Sequence, residues 1–184
     1  MSVSLLCSKV GTKKRWVEVS SKQNYTCDAL GVRAPSSSSS CQVGDTGPGG
    51  GGVFYVASTA FTAAGTTCNT ACRYLEAAPN TWNGGVVDPR SIWATAVGMA
   101  DSLIFGGKSD WFLPSKNQLN EMYKNKNWGC CESSVGHFAG YGYWSSTEDS
   151  RLREWAWLQY IDSNGFEGIS LKDKNFSVRP VRAF

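Results

Sequence analysis

Two strongly patterned motifs frame the last quarter of the chain, Trp144-Ser145-Ser146-Thr147-Glu148 and Val178-Arg179-Pro180-Val181-Arg182-Ala183-Phe184. Between them, small, charged, aromatic and aliphatic residues follow one another without a clear period. A chain built this way needs a rigid frame that holds an irregular stretch in place. Binding residues concentrate on such stretches, because a fixed scaffold positions them while the stretch itself carries no ladder or core duty. No constellation elsewhere has the pattern of catalysis. The sequence reads as a binder first and an enzyme second.

The frame has material to pack. In 184 residues, 41% are hydrophobic, with eight Trp, seven Tyr and eight Phe beside twenty Gly. That length makes one good-sized domain, or one domain with an appendage. Many rings among many Gly and Ser predict short strands and frequent turns, with large side chains filling the space between them. Net charge is +3, and the basic excess sits in residues 1–33. Lys13-Lys14-Arg15-Trp16 reads as a solvated strand end. No basic stripe crosses the rest of the chain, so nucleic-acid binding is not expected. No segment has the length of a membrane-spanning helix, so no membrane insertion is expected. Val3-Ser4-Leu5-Leu6-Cys7, followed by Lys9, is too short for a signal-peptide core. Export is expected to rely on a signal outside this sequence, or on release within an assembled particle.

The seven cysteines are Cys7, Cys27, Cys41, Cys68, Cys72, Cys130 and Cys131. With no paired Cys-x-x-Cys motifs and His137 as the only histidine, no zinc site and no other cofactor is expected. Cys68 and Cys72 have the spacing to close a small surface loop. Adjacent Cys130 and Cys131 rarely bridge each other, and they read as structural or orphan thiols. Disulfides point to an oxidising exterior, hence an extracellular, cell-surface or virion setting.

Three regions follow from the pattern. Residues 1–34 form a small cysteine-bearing β unit with Arg15–Val19 as its clearest strand. Residues 35–52 form a Ser/Gly-rich linker whose glycine loop enters a strand at Val53-Phe54-Tyr55-Val56. Residues 53–184 form the main domain. There, Arg73–Ala77 is a strand closed by Pro79. Ile92, Ala96, Met99 and Leu103 recur at helical spacing, with Gly106-Gly107 as the stop. A second helix follows Leu113-Pro114, with Ser115 and Gln118 at capping-box spacing and Leu119, Met122 and Tyr123 as its buried stripe. Beyond it come strands at Ala156–Ile161 and Phe176–Arg179, with Asp162-Ser163-Asn164-Gly165 as a hairpin turn. The fold class is α+β, with two helices and short antiparallel strands.

Each chemical motif has a plainer structural reading. Gly106-Gly107-Lys108-Ser109 resembles the end of a phosphate loop, but Ser102 stands where its first glycine belongs. No Gly-x-Ser-x-Gly elbow accompanies His137. Glu148 and Asp149 are neighbours on a strand and point to opposite faces, which argues against paired acid/base work. Trp111, Trp144 and Trp157 read as core rings rather than a sugar platform. Arg179 and Arg182 read as fixed partners of acids or carbonyls inside the fold.

Gly106-Gly107-Lys108-Ser109-Asp110-Trp111-Phe112-Leu113-Pro114-Ser115, then Tyr143–Glu148, Ala156-Trp157 and Val178–Arg182 occur in this order. As a set, with Gly47–Tyr55 and Arg73–Pro79, they resemble the C-terminal domain family of bacterial collagen-like adhesins, the Lcl C-terminal domain. The resemblance spans about residues 44–184. It implies a C-type-lectin-like fold of the formylglycine-generating-enzyme type, in secreted, cell-surface or phage-tail proteins that bind glycans or proteins. The calcium-site tripeptides of sugar-binding lectins are absent, and no cysteine arrangement clearly supplies the copper site of the formylglycine-generating enzymes. A narrower resemblance is to retroelement-diversified proteins on this fold, in which adenine-directed mutagenesis rewrites Asn codons. Such codons reach every residue except Met, Trp, Gln, Lys and Glu. Glu154, Trp155, Trp157, Gln159, Glu167, Lys172 and Lys174 are unreachable and punctuate the stretch like fixed scaffold.

The expected ligand-binding residues are therefore Asp149, Ser150, Arg151, Leu152, Arg153, Leu158, Tyr160, Asp162, Ser163, Phe166, Ile169, Leu171 and Asp173. Gly168 and Ser170 are reachable too. The expected function is a non-enzymatic recognition domain whose partner is a protein or glycan receptor on another cell or particle. Homo-oligomerisation is left open. The alternatives are a secreted carbohydrate-active or redox enzyme using Glu148, Asp149 or the cysteines, and a purely structural virion or surface component.

Overall fold

A computed structural model of the chain describes residues 4–10, 13–19, 26–31, 33–34, 40–126, 138, 141–161 and 164–184, with side chains described from residue 26 onward except at 33 and 34. Cys130, Cys131, His137, Asp162 and Ser163 lie outside the described residues.

Strands β1 (Ser4–Val10) and β2 (Lys13–Val19) pair as an antiparallel hairpin that contains the expected Arg15–Val19 strand. A second small hairpin joins β3 (Thr26–Cys27) and β4 (Arg33–Ala34). Two sheets make the main body. One is three-stranded, with β6 (Cys72–Ala77) between β5 (Gly52–Phe61) and β12 (Val181–Ala183). The other is five-stranded, in the order β10 (Glu167–Leu171), β9 (Trp155–Tyr160), β8 (Gly142–Glu148), β11 (Phe176–Ser177), β7 (Arg90–Ser91). Helices α1 (Trp93–Asp101) and α2 (Lys116–Lys124) complete an α+β fold.

The five-stranded sheet serves two cores, because successive strand residues point to opposite faces. On β8, Trp144 joins Ala96 and Ala100 of α1 together with Ala156, Leu158, Val178 and Trp111. Its neighbour Tyr143 joins Leu119 and Met122 of α2, with Phe54, Leu75, Ala77, Ile161 and Val181. Each Leu, Ile, Val, Met or Phe among them, fully buried, contributes about 1.5–3 kcal/mol. The tryptophan reading holds for Trp111 and Trp144, which are core rings.

Helix α2 begins as its capping box requires. Ser115 Oγ accepts the Gln118 N–H at 3.3 Å, and Gln118 Oε1 accepts the Ser115 N–H at 2.8 Å. Helix α1 is shorter than its periodicity predicts. It ends at Asp101, where the Ser102 N–H and hydroxyl both donate to the Gly98 carbonyl. Ile92 is its half-exposed N-cap, and the buried residues are Ala96 and Ala100. Gly106 and Gly107 are not the helix stop. They are the central pair of a tight turn in which Phe105 and Lys108 exchange both backbone hydrogen bonds at 3.0 Å. Their φ values of +58° and +70° are what such a turn demands at both positions.

Two buried arginines tie the C-terminal motif to the rest of the chain. Arg179 donates from Nε and Nη2 to the two oxygens of Asp88 at 2.7 and 2.6 Å, and from Nη1 to the Ala78 carbonyl. Asp88 also accepts from Trp82 Nε1 and the Tyr143 hydroxyl. Arg182 donates to Asp110, to Glu76 at 3.0 Å and to the Thr67 hydroxyl at 2.8 Å. Burial raises the pKa of Glu76 above the ordinary carboxylate range, against the pull of Arg182 and the Gly49 and Gly51 N–H groups. Burial opposes ionisation at Asp110 as well, but the Arg182 and Thr67 hydrogen bonds outweigh it and hold its pKa low.

The glycine loop enters β5 as expected, but residues 41–52 do not behave as a linker. Cys41, Asp45, Gly47 and Gly49 are buried. Glu76 accepts the N–H groups of Gly49 and Gly51, and a Cβ on Gly51 would stand 2.4 Å from the Ala77 carbonyl oxygen. Only glycine lets the backbone approach this closely. Of the described cysteines, Cys68–Cys72 closes the expected small loop, and Cys27–Cys41 joins β3 to the glycine segment. Cys27 and Cys41 pack with Val53, Tyr74 and Phe184.

These contacts rank two substitutions. Arg179→Ala leaves Asp88 buried without its counter-ion and is expected to cost about 3–5 kcal/mol. Ser115→Ala removes one helix cap and is expected to cost about 1 kcal/mol. Urea unfolding of the two variants checks the order, and a larger loss for Ser115→Ala contradicts it.

Candidate functional site

The Trp144–Glu148 motif builds a bulge that positions its neighbours. Trp144 pairs with Leu158 and Glu148 with Ala156, so β8 carries extra residues against β9. Ser145 Oγ donates to the Trp157 carbonyl at 3.0 Å and accepts the Thr147 N–H at 3.2 Å. The Ser146 N–H reaches the Pro114 carbonyl, and Thr147 Oγ1 accepts the N–H of Lys116. That N–H belongs to the first turn of α2, where no intrahelical acceptor exists. The bulge and the helix start therefore hold each other, and Lys116 lies 4.1 Å over the Trp157 ring.

Strands β9 and β10 then set up two faces. Ala156 and Leu158 point to the α1 core, while Trp155, Trp157 and Gln159 take the opposite face. The register places Ile169 beside Trp157 and Leu171 beside Trp155. All four are half-buried. They form a cross-strand patch of two indoles and two branched aliphatic side chains at the edge of the sheet. The Gln159 amide donates to Asn120 of α2 and to the Gly165 carbonyl, at 3.2 and 3.3 Å.

A short loop rises beside this patch. Asp149 Oδ1 accepts the N–H groups of Arg151 and Leu152 at 3.0 and 2.9 Å. These two bonds hold the Asp149 carboxyl below its ordinary pKa. Ser150, Arg151, Leu152 and Arg153 are displayed by the turn and exposed. Lys172 fastens the far side, donating to Glu148 and to the Arg153 carbonyl. On the opposite face of the sheet, where Tyr160 follows Ala156 and Leu158, exposed Phe166 meets Tyr160 edge-on with ring centroids 6.2 Å apart.

The expected site residues therefore divide. Ser150, Arg151, Leu152, Arg153, Phe166 and Asp173 are exposed, and Tyr160, Ile169 and Leu171 are half-buried. Leu158 is a correction: at 5% exposure it is a core residue, because its strand position faces α1. Asp149 is a second correction, since its residue is buried and its carboxylate is occupied by the turn. Asp162 and Ser163 lie outside the described residues. The sequence reading assigned Trp155 and Trp157 to scaffold, yet they form part of the partly exposed face. Trp157 is thus not the buried core ring expected. Strand parity could have separated Trp157 from Leu158, but the pairing with Ile169 requires the register.

Glu148 and Asp149 have separate partners. One is ion-paired with Lys172, and the other holds backbone amides. Among the described residues no His/Cys/Asp/Glu group has the arrangement to hold a metal ion. No helix of the described residues is long and apolar enough to cross a membrane.

The family model of the Lcl C-terminal domain matches residues 56–182. The match takes in α1, α2, the bulge, the displayed loop and both buried arginines. No curated protein matches the chain.

The Asp149 turn has a defined pH response. Its folded pKa is depressed, so its contribution is present above the unfolded carboxylate pKa and lost as pH falls through the folded value. The protection of the Arg151 and Leu152 amides, corrected for intrinsic exchange at each pH, is expected to fall as pH drops through the depressed folded pKa of Asp149, and Asp149→Ala is expected to lower it already at neutral pH. Unchanged protection in Asp149→Ala contradicts this assignment.

Proposed function

We propose that this chain, which belongs to the Lcl C-terminal domain family, is a non-enzymatic ligand-recognition domain. Its contact surface is the 150–153 loop together with the Trp155, Trp157, Ile169 and Leu171 patch, while exposed Phe166 lies on the other face of the sheet. The observation that carries the reading is the union of a partly exposed aromatic–aliphatic patch with exposed arginines held on a pinned turn. Aromatic and arginine anchors supply a large share of binding energy at interfaces. Here they stand on the paired strands β9 and β10 and on a turn closed by Asp149. The partner is a protein or glycan receptor on another cell or particle. The two disulfides favour an oxidising exterior for this encounter, at a cell surface or on a virion. The occupied carboxylates of Glu148 and Asp149 weigh against the enzymatic alternative.

Diversification by a retroelement fits the same surface. Exposed Ser150–Arg153, Phe166 and Asp173 are positions where a new side chain changes contacts rather than packing. Buried Leu158 has no part in it. The genomic neighbourhood tests this extension: a near-copy of the 3′ coding region, differing almost only at adenines, is expected beside a reverse transcriptase gene.

A glycan and surface-protein array probed with the purified domain identifies the receptor. Arg151→Ala and Leu152→Ala combined are expected to weaken binding to it at least tenfold. Each exposed substitution is expected to shift unfolding free energy by less than about 0.5 kcal/mol. Retained affinity, or a collapse of thermal stability, overturns the assignment.

A further inference from the structure

A second candidate site, sharing no residue with the 149–173 surface, lies between β5, β6 and α2. It is a cavity of about 200 Å³ lined by Tyr55, Phe61, Leu75, Asn117, Gln118 and Glu121. One wall is aromatic: Tyr55 and Phe61 meet at 62° with centroids 6.3 Å apart, which makes an angled corner rather than a flat plate. The bulge in β5 between Val56 and Phe61 helps shape that corner. The facing wall is polar. Asn117 and Glu121 are four residues apart and share one face of α2, with Gln118 beside them.

The chemistry of the two walls narrows the ligand. Glu121 Oε1 is ion-paired with Lys124 at 2.6 Å, so the wall is close to neutral while keeping carboxylate oxygen as an acceptor. Gln118 spends its carbonyl on the Ser115 N–H and keeps its amide donors. Asn117 makes no side-chain hydrogen bond among the described residues and supplies both a donor and an acceptor. An anion would meet Glu121, and a cation would compete with Lys124. A purely apolar group would leave the amides without partners, which costs free energy. The volume lies below the roughly 300–1,000 Å³ of sites for drug-sized ligands, which limits the occupant to a single ring.

We propose that this cavity is a subsite for one neutral pyranose unit. The ring's C–H face lies against Tyr55 and Phe61, and its hydroxyls exchange hydrogen bonds with Asn117, Gln118 and Glu121. The site is separate from the recognition surface proposed above and stands or falls independently of it.

The test is a two-dimensional NMR titration of the isotope-labelled chain with methyl glucoside, methyl galactoside, methyl mannoside and methyl glucuronide. At least one neutral glycoside is expected to give saturable shifts confined to β5 and the first two turns of α2, with a Kd of about 1–10 mM. The charged glucuronide is expected to bind more weakly than the corresponding glucoside. Tyr55→Ala is expected to weaken binding at least tenfold. Exposed Asn117→Ala, which disturbs no packing, is expected to weaken it several-fold and keeps the test decisive if Tyr55→Ala unfolds. Absence of shifts with every neutral glycoside, tighter binding of the glucuronide, or unchanged affinity in Asn117→Ala overturns the proposal. The array ligand of the 149–173 surface serves as the control, and its affinity is expected to be unaffected by Asn117→Ala.

Discussion

Two arginines at the C-terminal end of the chain hold parts of the fold that are far apart in sequence. Arg179 and Arg182 are both almost fully buried, and an unpaired charge in such a place is strongly unfavourable. The fold therefore has to deliver an acid to each. Asp88 comes from the segment before β7, Glu76 from the end of β6, and Asp110 from the stretch between the Phe105–Lys108 turn and α2. Satisfying the guanidinium groups brings the three-stranded sheet, the five-stranded sheet and the approach to α2 into register with one another. Replacing a buried pair with apolar groups of the same shape is often harmless, whereas removing one partner is not. What these pairs specify is arrangement more than net stability.

The proposed recognition face inherits its position from that arrangement. Phe112 and Val181 exchange backbone hydrogen bonds, which places Pro114 where its carbonyl meets Ser146 of the bulge. The bulge fixes Thr147 under the first turn of α2 and Ser145 under the carbonyl of Trp157. The chain of contacts from Arg182 through Phe112 and Ser146 to β9 is continuous. The displayed side chains of residues 150–153 take no part in it. This separation explains how one stretch can present varied chemistry while the strands beneath it stay fixed.

Much of this was legible before any coordinates. The capping box of α2, the strands at Arg73–Ala77 and Ala156–Ile161, the internal pairing of the arginines and the Cys68–Cys72 loop all follow from local spacing and from the cost of burying charge. What was not legible depended on long-range geometry. Leu158 and Trp157 are adjacent residues of similar hydrophobic character, and only the placement of α1 decides which of them is core. The glycine run before β5 has the composition of a tether. Its burial follows from Glu76, whose carboxylate gathers the loop's N–H groups from across the sheet. The partner of Cys27 likewise lies beyond what spacing alone can fix.

The three perturbed carboxylates show how the same residue type serves opposite ends. Asp149 is drawn toward its charged form by two backbone amides at the surface, so it stabilises the turn wherever carboxylates are ordinarily ionised. Asp110 has the same sign, because Arg182 and Thr67 outweigh its burial. Glu76 has the other sign: its burial penalises the charge, so folding is less favoured as pH rises through its folded pKa. The interior therefore holds a carboxyl whose ionisation is penalised at Glu76, where it orders Arg182 and the glycine loop. The turn beneath the 150–153 loop uses one whose ionisation is favoured, because Asp149 is stabilised by the very amides it orients.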